Sequence, residues 1–197
     1  MSRTNLLLLV SLITLNFCYS QIKTDSTDVS ELVKVNNLLF MKKDLDIVTF
    51  RNGDTIPEAK TKKDWKKCNK LMKPAWCYSI DKENKICGKV YNWYAVNDSR
   101  KIAPEGYHVA TFDEMVELIA FAKSKRYKNN FDFNRAPNRS SKGKYILGES
   151  TKGYWTSTFF DTNYSRCIYI TLLDSKFGSS TMVCEIREGL FIKCVKD

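Results

Sequence analysis

The sequence predicts an α+β domain of antiparallel strands, two helices and long loops, stapled by disulfides. Three observations carry that expectation. Thr111-Phe112-Asp113-Glu114 has the spacing of a helix-capping box and opens an apolar face at helical period. The last third of the chain alternates apolar and polar residues with the period of two that strands require, broken by turns containing Gly and Ser. Cys68, Cys77, Cys87, Cys167, Cys184 and Cys194 make an even set, which reads as disulfides if the chain is exported.

Export is the expectation from residues 1–20, which have the anatomy of a signal peptide. Arg3 supplies the positive start, Leu6 to Phe17 is almost wholly apolar, and Cys18 and Ser20 put small residues at −3 and −1 of a cut between Ser20 and Gln21. That apolar run is well short of the ~20 residues needed to span a bilayer, so a transmembrane segment is the poorer reading. Lipidation at Cys18 ranks below cleavage, because Phe17 stands where a small residue is expected. The expected location is secreted, periplasmic or at the cell surface. Once residues 1–20 are removed, the remainder of the 197-residue chain is one domain's worth.

Residues 21–30 form a short polar leader, and a single domain runs over 31–197. Val33 and Val35, then Leu38 to Met41, flank Asn36-Asn37, a pair suited to a hairpin turn because asparagine tolerates positive φ. Asn52-Gly53-Asp54 marks a second turn after Ile47 to Phe50. Residues 61–73 put Trp65, Cys68, Leu71 and Met72 on one side and lysines on the other, the pattern of a short amphipathic helix with Cys68 inward. Trp76 to Tyr78 is a short apolar piece. A Cys77–Cys87 bridge would close the polar loop that follows, which has no core of its own. Residues 90–96, rich in aromatics, read as a buried strand, and 103–110 as turn.

The capping box then starts the second helix, with Met115, Val116, Leu118, Ile119 and Ala122 as its apolar face. Residues 123–145 are loop-rich and hold eight Lys or Arg against one acid, Asp132, with Tyr127, Phe131, Phe133 and Tyr145 interleaved. Strands follow at 153–160, 166–173, 181–187 and 190–197, with turns at 174–180 and 188–189. Alternation groups Cys184 with Met182 and Ile186, and Cys194 with Leu190 and Ile192.

Charge narrows the partners. The whole chain carries +10, and after loss of Arg3 the 31 remaining basic residues still outnumber 22 acids by nine. That balance suits anionic partners, and export favours glycan or envelope polymer over nucleic acid. The bland alternative is a merely solvated lysine-rich surface. Within the basic aromatic loop, Lys125, Arg126, Tyr127, Lys128, Arg135 and Arg139 are the expected ligand contacts.

No metal or cofactor is expected. The chain has no C-x-x-C and a single histidine, His108, so a zinc cage lacks its usual ligands. His108 has no nucleophile near it in sequence, and Asp113 and Glu114 serve the helix start. Trp76, Tyr91, Trp93, Tyr94, Tyr154 and Trp155 could form a sugar-stacking platform, but core packing is the better reading.

Five stretches in order resemble the Fibrobacter succinogenes major paralogous domain, a family of secreted and surface proteins common in Bacteroidetes and Fibrobacteres. They are VKVNNLLFMKKDLDIVTFRNGDTIPEA, PAWCYSIDKENKICGKVYNWYAVND, APEGYHVATFDEM, GYWTSTFFD and the terminal GLFIKCVKD. The resemblance implies a variant of the C-type-lectin-like fold. Phe40, Tyr107 and Ala110 stand where the family has Trp, Trp and Pro, and the family's glycine-rich segment is replaced by the basic run 123–145. The family pattern also places a cysteine at Ala103 to pair with the last one, so Cys194 needs another partner, with Cys68 the candidate. Calcium-dependent sugar sites of C-type lectins are not matched: 136–138 lacks the leading acid and 96–98 lacks the Trp.

The expected function is a non-catalytic binding or adhesion module for an anionic glycan, an envelope polymer or a protein partner. The alternatives are a structural envelope component and an enzyme on a scaffold similar to formylglycine-generating enzymes. The enzyme reading requires Cys184 and Cys194 to act as a reducible pair.

Overall fold

The computed structural model describes residues 31–124, 131, 133–146, 151–173 and 176–197. The expected signal peptide and leader, residues 1–30, lie outside them. Among the described residues no helix is long and apolar enough to cross a membrane.

The architecture is mostly antiparallel strands with three short helices. Strand β1 (Leu32–Val35) turns back into β2 (Leu38–Met41) with Val35 opposite Leu38, and Asn36 takes φ 53, as expected from the Asn-Asn pair. β2 then pairs through Phe40↔Val195 with the last strand, β12 (Cys194–Lys196), which also pairs with β5 (Tyr107–Val109). The sheet order is β1-β2-β12-β5, so the two ends of the domain share one sheet. β5 corrects the turn expected at 103–110. Only the first half turns, closed at Gly106 (φ +76), and Tyr107 and Val109 then point into the core.

A second sheet has the order β10-β9-β8-β11, from β8 (Thr151–Phe159), β9 (Tyr164–Leu173), β10 (Lys176–Glu185) and β11 (Phe191–Ile192). Only β11 against β8 is parallel. β10 begins at Lys176, so most of the turn expected at 174–180 is strand. Two small ribbons complete the chain: β3 (Trp76–Ile80) with β4 (Ile86–Tyr91), and β6 (Asn138–Arg139) with β7 (Tyr145–Ile146).

Among the described residues there are three helices where two were expected. Helix α1 (Lys62–Lys70) and helix α3 (Phe112–Lys123) each start with a complete capping box, Thr61/Asp64 and Thr111/Glu114. Helix α2 (Trp93–Val96) replaces the end of the strand expected at 90–96. Asn92 decides this. Its buried carbonyl oxygen accepts from Ala95 N and Ala75 N, and its amide donates to Lys73 O and Asn69 Oδ1, so the strand must turn there. α3 buries Met115, Leu118, Ile119 and Ala122 but leaves Val116 exposed. α1 buries Trp65 and Asn69. It stops at Lys70, so Leu71 and Met72 fall beyond it and are exposed rather than inward.

The core forms two clusters. One packs α3 against Phe40, Phe131, Phe133, Tyr154 and Phe191; the other gathers Trp93, Trp155, Tyr107, Leu190 and Ile192. Gly189 sits where they meet α1. A Cβ there would lie 2.9 Å from the Trp65 ring, so the 188–189 turn has no room for a side chain.

Two of the six cysteines expected in disulfides are bonded and four are not. Cys167 and Cys184 are bonded to each other, joining β9 to β10. Cys77 and Cys87 are free thiols. Cys77 faces Val90 across the β3–β4 ladder, and Cys87 lies three residues further along β4, which is about 10 Å of strand and beyond bridging reach. Cys194 and Cys68 are also free, because they pack against different core clusters.

Candidate functional site

Of the six expected ligand contacts, Lys125, Arg126, Tyr127 and Lys128 lie outside the described residues. Arg135 is exposed. Arg139 is not on the surface at all: it is 2 % exposed, its guanidinium lies 5.2 Å from the ring centres of both Trp65 and Tyr145, and it donates to Ala59 O. β6 draws it inside, because Arg139 exchanges two backbone hydrogen bonds with Gly189. Its role is to tie α1 to the 188–189 turn. The expectation of ligand contact fails there, since the charge that suggested it is spent on packing.

An exposed cationic face lies elsewhere. Lys62, Lys63, Lys66, Lys67 and Lys70 occupy i, i+1, i+4, i+5 and i+8 of α1, which places them on one side of the helix over ~12 Å. Lys73 follows just past its end. The loop carrying Lys142 and Lys144 packs on the start of α1, where a Cβ at Gly143 would be 3.0 Å from Lys62 Cγ. All eight lysines are exposed, and none forms an ion pair among the described residues. The one acid on α1, Asp64, is held by Thr61, which keeps its carboxyl below the usual range. The sequence put these lysines on the outer side of a helix. Their freedom from ion pairs depends on what packs beside them.

Next to this face opens a cleft of about 290 Å³ lined by Met72, Pro74, Trp93, Tyr94, Asn97, Asp98, Phe159, Thr162 and Ile186. α1 leads directly into it. The Lys73 amide donates to Cys68 O and the Met72 amide to Asn69 O, the two bonds of a Schellman end. Met72 takes the left-handed position, φ 51, and is 70 % exposed. Opposite, the β8–β9 turn brings Phe159, 55 % exposed, with Asp161 accepting from Asn163 N and Tyr164 N to set the turn. The Asp98 carboxylate is gripped by Arg100 at 2.8 Å through each oxygen, and these hydrogen bonds hold its pKa down. The exposed Asn97 side chain makes no hydrogen bond among the described residues.

Of the aromatic set, Trp76, Tyr91, Trp93, Tyr154 and Trp155 are buried, and Tyr94 is half-buried at the cleft. Core packing accounts for five of the six.

His108 lines a smaller cleft of about 200 Å³ with Arg51, Lys101, Ser157 and Asp197. Its Nδ1 is 2.7 Å from Asp197 Oδ1, and its Nε2 is 2.9 Å from Glu114 Oε1. Burial works against the charged ring, but the hydrogen bonds it donates to Asp197 and Glu114 outweigh it and raise the pKa. With both ring nitrogens engaged by carboxylates, the imidazole clamps β5 to α3 and to Asp197.

A buried charge cluster escaped the sequence reading. Asp44 lies 2.6 Å from Lys152 Nζ and 2.8 Å from Lys193 Nζ, with Tyr154 Oη at 3.2 Å. No pattern in the chain marks these distant residues as partners. Burial alone would raise the Asp44 carboxyl, yet the two ammonium groups bring it below its ordinary value. Among the described residues no three His, Cys, Asp or Glu side chains are grouped to hold a metal ion.

Compared with known proteins, residues 33–171 match the family model of the Fibrobacter succinogenes major domain. No curated protein and no solved structure matches.

Proposed function

For a chain that belongs to the Fibrobacter succinogenes major domain family, we propose a non-catalytic binding or adhesion module. It is secreted or held at the cell surface and docks on an anionic polymer through the lysine face of α1. Its scaffold is a variant of the C-type-lectin-like fold, a reading supported by the pairing of first and last strands in one sheet. The observation that carries the binding function is the row of exposed lysines over one helix face, extended by Lys73, Lys142 and Lys144, with no acid paired to them. Like charges gathered this closely repel one another, and an anionic polymer relieves that repulsion.

The enzyme alternative is weakened by the cysteines. Cys184 is bonded to Cys167 and so does not pair with Cys194. Cys194 is wholly buried, and burial pushes its thiol up to about 12.

The test is binding of purified mature chain to polyphosphate and to a polymannuronate hexamer across a salt series. Replacing Lys66, Lys67 and Lys70 together by Gln weakens both by roughly tenfold or more and flattens the salt dependence. An unchanged affinity removes the reading.

A further inference from the structure

We infer that the cleft beside α1 is a sugar-ring subsite, which makes the ligand of the lysine face an acidic polysaccharide rather than a nucleic acid. This rests on the lysine-face reading and adds the polymer class to it. Three features argue for it.

The cleft continues the cationic face. Lys73 stands between two of its lining residues, Met72 and Pro74, so a polymer lying along α1 runs into it. The cleft also offers both kinds of contact that a sugar needs. The exposed Phe159 ring and the half-buried Tyr94 ring provide apolar faces, and Asn97 and Thr162 provide amide and hydroxyl groups at the rim. Its volume is at the small end of ligand pockets, the scale of a single ring rather than a long groove. Finally, Met72, at the left-handed C′ position of the α1 Schellman end, leaves its side chain exposed at the lip, an apolar group that a ligand can cover.

Lysine is a compact point charge that attracts carboxylate, sulfate or phosphate alike, so the cations of α1 set the sign of the ligand. The polymer class rests on the cleft, whose ring faces and rim amide and hydroxyl suit a sugar, and on the exported location proposed above, which favours a glycan over a nucleic acid.

The experiment measures the mature chain against three probes matched in charge: a polymannuronate hexamer, polyphosphate and oligothymidylate. Phe159→Ala and, separately, Asn97→Ala are compared with the unaltered chain. The expected result is that the hexamer binds best, and that Phe159→Ala weakens it about tenfold, the scale of one lost ring-stacking contact. Asn97→Ala weakens it less, and polyphosphate binding is unmoved by either change. Backbone amide shifts of residues 97–98 and 159–162 on adding the hexamer provide a second readout. If the hexamer binds no better than polyphosphate and ignores both substitutions, the subsite falls while the lysine face stands. If oligothymidylate binds as tightly and depends on Phe159, the occupant is a base and the sugar assignment is overturned. If none of the three binds, the lysine face is overturned and the subsite with it.

Discussion

Lys152 Nζ lies 2.6 Å from Asp44 Oδ2, with the lysine side chain 2 % and the aspartate side chain 13 % exposed. Lys193 approaches the other carboxylate oxygen and also donates to Lys42 O at 2.6 Å. The loop after β2 is thereby tied to β8 and to the junction of β11 and β12. Buried charges are costly when alone, so the arrangement holds only while all its members are present.

Removing the acceptor should therefore be severe. Asp44→Asn leaves two buried lysines without their shared carboxylate, and a loss of ~3–5 kcal/mol in unfolding free energy is expected. The pH dependence follows from the lowered folded-state value of Asp44. Its stabilisation is complete above the ordinary carboxylate value and is lost as pH falls through the lower folded value. Urea unfolding from pH 6 down to pH 2 should show this acid-side decline in the unaltered chain. Asp44→Asn should lose this group's share of it and keep the share of the other lowered carboxyls, Asp54, Asp64 and Asp98.

Glu188 behaves in the opposite sense. Burial, and next the charge of Glu185, raise its carboxyl to about 7. It is thus more easily ionised unfolded than folded. This group favours the fold most below the ordinary carboxylate value, and that support is lost as pH rises to about 7. The neighbouring Arg187 O accepts from Trp65 and Asn69 of α1, so strain in this turn reaches the lysine helix. Glu188→Gln is expected to be more stable than the unaltered chain at pH 8 and to lose that advantage at pH 4. Equal stability at both values would contradict the raised carboxyl.

The cysteines can be counted directly. In a chain prepared from residue 21 onward, four thiols, Cys68, Cys77, Cys87 and Cys194, should alkylate when it is denatured but unreduced, with Cys167 and Cys184 appearing only after reduction. Without denaturant, the half-buried Cys68 and Cys87 should label first. Burial raises Cys77 to about 11 and Cys194 to about 12. Peptide mass mapping reads both orders. Changing Cys167 and Cys184 to Ser together should cost ~3 kcal/mol, the scale for a closed loop of this length.

Met72→Gly should separate stability from binding. It relieves a left-handed side chain and is expected to raise stability by ~1 kcal/mol. It also removes an exposed apolar group from the cleft lip and should weaken the polymannuronate hexamer. A variant that is more stable and binds equally well would leave Met72 with no part in recognition.

Features set by neighbours in sequence were legible. Thr111 and Glu114 stand three residues apart, and their capping box needs nothing beyond that turn. Asn36-Asn37 closes its hairpin by the same local logic. The family resemblance was also legible, because ordered motifs survive without knowledge of contacts. The α1 lysines were legible as an outer face. The cleft at its end was not, because Phe159 and Thr162 reach it from a different sheet.

Misread positions depend on strand register or on partners brought in by the fold. Arg139 looked like a solvent-facing cation until β6 paired it with Gly189 and set it against Trp65. Cys77 and Cys87, close in sequence, are parted by strand register. Asp44 meets Tyr154 across 110 residues, and nothing local to either announces the other.

By itself, then, the sequence determined the capping-box start at Thr111, the alternating strands, the excess of positive charge and the family, because each depends on residue type and short spacing. Tertiary structure alone decided which cations are buried and which are offered to solvent, and which sulfur atoms meet. Those outcomes depend on strand register and the burial of charge, which arise only when distant segments are brought into contact.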